Sequence, residues 1–294
     1  MKIIVLSRNP GLYSTNSIVQ SARLRGHDIE VVDHTSCDLW IEKDKLAVYY
    51  FDEPVIDTDF IIPRIGASVT TLGASVIQQF SLMGVLSTLS PQALMQSRDK
   101  LRCLQILAAN DMAIPRSIMS TDIESIRYLI NRLGSVRSVI KLMVSTQGMG
   151  VLLAENKTNA LAIAEAFQRL KKDFIVQEYI EESKGTDIRV LVVDGKIIAA
   201  MERKAQGEEF RSNLHLGGTS RPIELSLEEQ EIALKATQLM GLDIAGVDIL
   251  RSNKGPLVIE VNASPGLEGI ETTTGIDVAE SIIKMVKRKY NERK

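Results

Sequence analysis

Two cysteines, Cys37 and Cys103, are all that the 294 residues contain. They lie far apart and make neither a Cys-x-x-Cys pair nor a zinc spacing, so a disulfide framework or dithiol redox motif is not expected, and a reduced intracellular setting is. Histidine is almost as scarce. His27, His34 and His215 show no paired spacing, and no Ser/His/Asp or Cys/His pattern for a protein nucleophile emerges. No apolar run is long enough to cross a bilayer. Ile3-Ile4-Val5-Leu6 is too short for a signal-peptide core, and Arg8 follows at once. The formal charge is −2 and aromatics make up 4%, so the chain carries no net pull toward nucleic acid or anionic membrane and no aromatic-basic patch. No G-x-G-x-x-G follows the first strand and no Walker A loop occurs anywhere. Internal repeats and low-complexity linkers are also missing. What remains is an ordinary globular composition, 45% hydrophobic and 24% charged, at a length that fits roughly two domains.

The first third reads as alternating strands and helices: a strand at 2–6, a helix from about Ser14 to Arg25 stopped by Gly26, and strands at Ile29–Val32 and Phe60–Pro63. A helix follows from about Thr71 to Met83, and Tyr49–Phe51 adds a hairpin strand. This order predicts a small parallel α/β unit. A boundary falls between about Leu89 and Arg98, where Pro91 fits a first helical turn. Asp122 caps a helix ending at Leu133, closed by Gly134. A strand at Ser138–Lys141, a glycine-bearing loop at 145–150 and a strand at Val151–Ala154 make a hairpin. An alanine-rich helix from about Asn159 to Lys171 and a strand at Phe174–Ile180 follow. Asp194-Gly195 is a strong hairpin turn between Asp187–Val193 and Lys196–Lys204. Ser226-Leu-Glu-Glu229 opens a helix to Met240 with a capping box. Residues 263–269 read as a loop, the last helix runs from about Ile276 to Lys287, and the basic tail, Lys287 to Lys294, is expected to be solvated or frayed.

The organising stretch is Asp248 to Asn262, two apolar runs around Arg-Ser-Asn-Lys-Gly-Pro. A turn centred near Lys254 places Asp248 roughly opposite Glu260, with Cβ atoms ~5 Å apart. Period two puts Glu260 and Asn262 on one face. Two carboxylates and an amide so placed are hard oxygen ligands for a magnesium-type cation, with phosphate oxygens completing its shell. Lys141 enters its hairpin from an apolar strand, where a cation is costly unless it meets an anion. Bare glycines let backbone N–H groups close on phosphate. Tyr179 and Ile180 can cover an adenine. Asp187 and Arg189 share a face. Arg203, Lys204 and Arg211 are candidate phosphate clamps, since guanidinium binds phosphate bidentately.

Taken in order, Lys100, Lys141 with its glycine loop, Gln177-Glu-Tyr-Ile180, Asp187-Ile-Arg189, Arg211-Ser-Asn213, Asp248 and Glu260-Val-Asn262 resemble the ATP-grasp superfamily. Within it, the runs Arg211–Gly218, Gly246–Leu250 and Glu260–Glu271, with Thr273–Asp277, resemble the RimK-type alpha-L-glutamate ligases. Pro63-Arg64-Ile65-Gly66 and Ser97-Arg-Asp-Lys100 fit as well, so the likeness spans nearly the whole chain. It implies an α/β and α+β architecture: an ATP-grasp fold at 96–294, with a central lobe of about 110–178 and a C-terminal lobe of about 179–294, preceded by a parallel α/β pre-ATP-grasp domain at 1–95.

The resemblance also implies roles. Lys141 contacts the ATP phosphates with Lys100 in support, and Glu178, Tyr179 and Ile180 hold the adenine side. Asp187 takes the ribose, while Arg211, Ser212 and Asn213 line the phosphate and acyl end, with Arg211 and Lys141 as the catalytic cations. Asp248 and Glu260 hold one magnesium or manganese ion, Glu260 and Asn262 a second. Glutamate is the expected substrate and the acidic C-terminus of a small-subunit ribosomal protein the expected acceptor, in the cytoplasm. Neither a membrane nor nucleic acid is an expected partner, and a homo-oligomer stays open. The chemistry would run through an acyl phosphate attacked by an amine, under a lid formed by Gly148 and Gly150. Two alternatives remain: a same-fold ligase acting on a small coenzyme or biosynthetic intermediate, and a non-catalytic ATP-binding regulator.

Overall fold

A computed structural model describes residues 1–143, 150–207 and 209–293 of the chain. The N-terminal unit starts with β1 (Lys2–Leu6), α1 (Tyr13–Leu24) and β2 (Asp28–Val32). A meander of β3 (Cys37–Glu42), β4 (Lys45–Tyr50) and β5 (Glu53–Pro54) follows, then β6 (Phe60–Pro63), α2 (Thr70–Leu82) and β7 (Leu86–Ser87). The main sheet has the order β2-β1-β6-β7 and is parallel throughout. β1 and β6 read as unbroken apolar runs because both of their faces are covered. The expected single hairpin strand at 49–51 is part of a three-stranded sheet.

Two short helices lead on: α3 (Pro91–Arg98), capped by Ser90, and α4 (Lys100–Ala109), capped by Asp99. The central lobe holds β8 (Ser117–Ile118), α5 (Ile123–Leu133), β9 (Ser138–Leu142), β10 (Val151–Ala154), α6 (Lys157–Arg169) and β11 (Phe174–Glu178). Its antiparallel sheet runs β10-β9-β11-β8. Asp122 caps α5 and Gly134 ends it at φ +78°, as the sequence predicts. The glycine loop at the tip of the β9–β10 hairpin lies outside the described residues, except for Gly150.

The C-terminal lobe is a five-stranded antiparallel sheet in the order β14-β13-β12-β15-β16. Its strands are β12 (Thr186–Val193), β13 (Lys196–Lys204), β14 (Thr219–Pro222), β15 (Ile244–Ser252) and β16 (Gly255–Asn262), with α7 (Leu227–Leu239) between β14 and β15. The capping box of α7 is present in full. One sheet face, including Ile188, Val190, Val247 and Val261, packs into a core shared with α3, α4 and α7. The lower half of the other face, at Leu191, Val193, Met201 and Ile244, packs on α8 (Glu268–Thr274) and α9 (Val278–Arg293). The upper half of that face carries charge.

Two expectations are corrected here. A helix, α8, occupies residues read as loop and pre-helix linker, because Leu267 and Ile270 bury against the sheet. The basic tail continues α9 to Arg293 rather than fraying. Arg288 pairs with Asp194 of the β12–β13 turn, Lys289 pairs with Asp243, and Arg293 donates to the Gly84 carbonyl.

Candidate active site

The charged half-face is assembled by two β-bulges. At the Asp194-Gly195 turn Val193 pairs with Lys196, and simple counting from there would set Asp187 against Glu202. Leu191 pairs with Ala199 while Val192 pairs with Ile197, so Ile198 is an extra residue and Arg203 arrives opposite Asp187. The β15–β16 hairpin repeats the device. Ile249 pairs with Val258 but Asp248 with Glu260, so Ile259 is extra; in a regular ladder Ile259 would take the place opposite Asp248, and Glu260 would face Val247 and the core. Asp248 is thus opposite Glu260, as the sequence predicts, although the turn is centred half a residue earlier than Lys254 and the bulge makes up the difference.

Asp187, Arg203, Asp248 and Arg189 form one buried ion network. Arg203 donates from Nε and Nη2 to both Asp187 oxygens (2.7 and 2.6 Å). Its Nη2 also lies 3.0 Å from Asp248 Oδ2. Arg189 donates from Nε to Asp248 Oδ1 (2.5 Å) and from Nη2 to Oδ2 (2.7 Å). Burial pushes the Asp248 carboxyl up, but Arg189 and Arg203 outweigh it and hold it well below the usual carboxylate range. Arg203 is therefore an internal strut, not the open phosphate clamp expected of it. Both Asp187 oxygens face Arg203, so a ribose hydroxyl would compete with that pair. Gly246 is needed here for close approach: a Cβ would stand 2.8 Å from Pro265 Cβ and 3.4 Å from Arg189 Cδ.

Glu260 is exposed and makes no hydrogen bond or ion pair with another described residue. Its charge nevertheless reaches Lys141, Lys100 and Arg98. Lys141 sits on β9 between Val151 and Ile175, and its Nζ donates to Gln177 Oε1 (2.7 Å). Enclosure of its ammonium drives its pKa down to about 8, against the pull of Glu260, Asp248 and Asp187 and with the push of Lys100. Lys100, the first residue of α4, donates to the Met143 carbonyl (3.3 Å), and burial lowers its pKa despite Glu260. Lys141, Lys100, Asp187, Asp248 and Glu260 thus share one electrostatic neighbourhood, although three different parts of the chain supply them. Asn262 follows Glu260 on the same face, and its Oδ1 accepts from Ser264 N (2.9 Å), which fixes the amide. Two carboxylates and an oriented amide oxygen are the donor chemistry a hard divalent cation needs. Glu260 is the donor without competition, and Asp248 is shared with its arginines.

The remaining expected residues flank this centre. Glu178 is held by Arg116, whose backbone N, Nε and Nη2 all donate to it (2.8, 2.8 and 2.6 Å). Tyr179 carries the Arg137 guanidinium over its ring at 4.9 Å, and Ile180 is buried. A cleft of about 290 Å³ bordered by Glu182, Ser183, Lys184, Asp187, Lys204 and Arg251 opens beside them. Arg211 binds Glu209 through Nε (2.9 Å) and Nη2 (2.7 Å), which holds the Glu209 carboxyl down to about 2. Ser212 is buried and Asn213 precedes a single helical turn. Sequence reasoning gave no role to Arg189, Gln177 or Arg116. The signal for Arg189 was present, an arginine two residues from Asp187 on the same face; the partners of Lys141 and Glu178 come from strand register, which local pattern does not carry.

Comparison with known proteins decides the family. Residues 97–286 match the RimK-like ATP-grasp domain and residues 1–94 the RimK PreATP-grasp domain. The chain belongs to the RimK-type alpha-L-glutamate ligases of the ATP-grasp superfamily. Among its relatives, a probable alpha-L-glutamate ligase of Marinomonas sp. (strain MWYL1) is 49% identical over 288 residues, 98% of this chain and 96% of that protein. Probable alpha-L-glutamate ligase 1 of Hahella chejuensis (strain KCTC 2396) is 47% identical over 294 residues, 100% of this chain and 97% of that protein. Among solved structures, the ATP-grasp ligase PsnB complexed with minimal precursor, Mg and ADP superposes with a TM-score of 0.74 at 21% identity, covering 99% of this chain and 98% of that one. The same ligase with precursor peptide PsnA2 and AMPPNP gives 0.74 at 22%, over 99% and 98%. At that identity the likeness is one of fold, and the fold is ATP-grasp. The chain is an ATP-dependent ligase, and ATP-grasp ligases use ATP with magnesium. Among the described residues, no helix is long and apolar enough to cross a membrane.

Proposed function

We propose that this ligase adds glutamate to the acidic C-terminal tail of a small-subunit ribosomal protein, activating a carboxylate as an acyl phosphate that an amine then attacks. The observation that carries the reading is the meeting of Lys141 and Lys100 with Glu260 and Asp248. Phosphate-binding cations and cation-binding oxygens are both needed for phosphoryl transfer, and a simple nucleotide binder has no use for such a donor set. Relatives named as glutamate ligases support the amino acid, and the resemblance supports the acceptor.

In this reading Lys141 and Lys100 bind the phosphates, and their charge offsets what accumulates on the transferring group. Glu178, Tyr179 and Ile180 border the adenine side, next to the cleft at Glu182–Lys184. Asp187 and Arg203 keep Asp248 oriented. Arg211, Ser212 and Asn213 line the acyl end once Arg211 exchanges Glu209 for substrate. Asp248 and Glu260 would hold one magnesium or manganese ion and Glu260 with Asn262 a second; such ions screen repulsion between carboxylate and γ-phosphate when bound. No protein nucleophile is required.

The test is mass spectrometry of candidate acceptors after incubation with ATP, magnesium or manganese, and glutamate. Mass increments of glutamyl units on a ribosomal-protein tail are expected. Modification of a small coenzyme instead would move the acceptor, and no ATP consumption with any acceptor would remove the ligase reading.

A further inference from the structure

In the N-terminal sheet β1 lies between β2 and β6, so strand order reverses between β1 and β6. Open α/β sheets bind ligands at the carboxyl ends of the strands flanking such a point. Each of these two strands delivers an arginine there, Arg8 shortly after β1 and Arg64 directly after β6. Arg98, the last residue of α3, joins them: its Nη2 donates to the Ile65 carbonyl (2.5 Å), next to Arg64. Arg8 reaches the same place, since a Cβ on Gly66 would stand 3.0 Å from Arg8 Nη2. Gly66 has ordinary extended backbone (φ −76°), so its bare Cα makes room for the guanidinium rather than serving a turn.

Arg64 Nη2 donates to the Pro265 carbonyl (2.5 Å), and among the described residues neither Arg64 nor Arg98 forms an ion pair. Arg98 Nε is buried without a hydrogen-bond partner, and so is the hydroxyl of Ser264, beside Pro265. Burial and the charge of Arg98 push Arg64 down to about 10, a large departure for a guanidinium. Unsatisfied donors among like charges are costly until an anion joins them. Glu260 is the carboxylate whose charge reaches Arg98, and it also reaches Lys100 and Lys141. The arginine group therefore adjoins the candidate nucleotide centre.

We propose that Arg8, Arg64 and Arg98 form a carboxylate-binding crevice that grips the acidic substrate of the ligase, free glutamate or the acidic end of the acceptor. The planar guanidinium fork matches a carboxylate bidentately. This rests on the glutamate-ligase reading and adds which part of the molecule recognises the acidic group.

The experiment measures KM for ATP, glutamate and an acidic acceptor peptide in the wild type, Arg8→Ala, Arg8→Lys and Arg98→Ala. Arg8 is exposed, so its removal leaves the fold intact even if Arg98→Ala does not fold. The alanine variants are expected to raise one of the two acidic-substrate KM values by about tenfold or more, as loss of a charge-assisted contact does. KM for ATP should stay unchanged, and Arg8→Lys should recover part of the loss. A rise for glutamate assigns the crevice to the free amino acid, and a rise for the peptide assigns it to the acceptor. Unchanged values for both, or a rise confined to ATP, would overturn the crevice while wild-type turnover left the ligase reading standing. If the wild type does not turn over, calorimetry with glutamate and with the peptide decides. Binding lost in Arg8→Ala supports the crevice, and equal binding, or none by the wild type, overturns it.

Discussion

Arg203 is surrounded by protein and faces two carboxylates, so its worth lies in what its loss would strand. Arg203→Ala leaves Asp187 buried without its bidentate partner, and removal of one member of such a pair costs about 3–5 kcal/mol. The double variant Arg203→Ala/Asp187→Ala should cost clearly less than the two single changes summed, as chemical denaturation of the four proteins would show. Lys141 yields a pH prediction. Its pKa in the folded chain, about 8, lies below that of an unfolded lysine, so between these values the unfolded chain binds the proton that the native one lacks. Stability should therefore rise with pH across that window. Function runs the other way, because only the protonated ammonium attracts phosphate. kcat/KM for ATP should fall as pH climbs through about 8, and a pH–rate profile of Lys141→Arg should lack that descending limb.

Element boundaries were largely legible in the chain because they depend on local chemistry. Asp122 and Gly134 bracket α5, Ser226 and Glu229 open α7, and Asp194-Gly195 turns β12 into β13. The bulges at Ile198 and Ile259 were not legible, since an apolar residue at a bulge looks like any other strand residue. Nor was α8, whose polar, threonine-rich sequence becomes helical only because Leu267 and Ile270 find the sheet. The same reasoning covers the site. Glu260 and Asn262 were readable from period two, whereas the arginine pairs on Asp248 required knowing which strand lies beside β15. Inserting one alanine between Val258 and Ile259 tests the register directly, because it adds a residue beyond the one the bulge takes up. It should turn Glu260 toward the core, and a carboxylate there is expensive. Loss of the cooperative unfolding transition, or a midpoint lowered by several kcal/mol in stability, is expected in denaturant titration; a stable, active insertion variant would show that this register does not set the site.

Across the whole molecule the cores do not follow the two family-model segments. Ile3, Val5 and Phe60 of the N-terminal sheet share one cluster with Ile244, Leu267 and Ile283 near the other end of the chain. The central lobe has a cluster of its own, built on Ile126, Ile140, Ala160, Phe174 and Val176. Hydrogen exchange should therefore show α5, α6, β9 and β10 opening at lower free energy than β1, β6, β12 and β15, and the N-terminal and C-terminal units exchanging together. A lobe with its own core that carries Lys141 suits a ligase that must admit and enclose a nucleotide.

All of this turns on Glu260 as the carboxylate that faces the lysines and is free to bind a cation. The decisive measurement is glutamate- and acceptor-dependent ADP release by Glu260→Ala beside the wild type, with unfolding midpoints recorded for both. Glu260 is exposed and has no partner among the described residues, so the midpoint should not move. Turnover is predicted to fall by about a hundredfold or more. Near-normal ADP release from a folded Glu260→Ala protein would contradict the account.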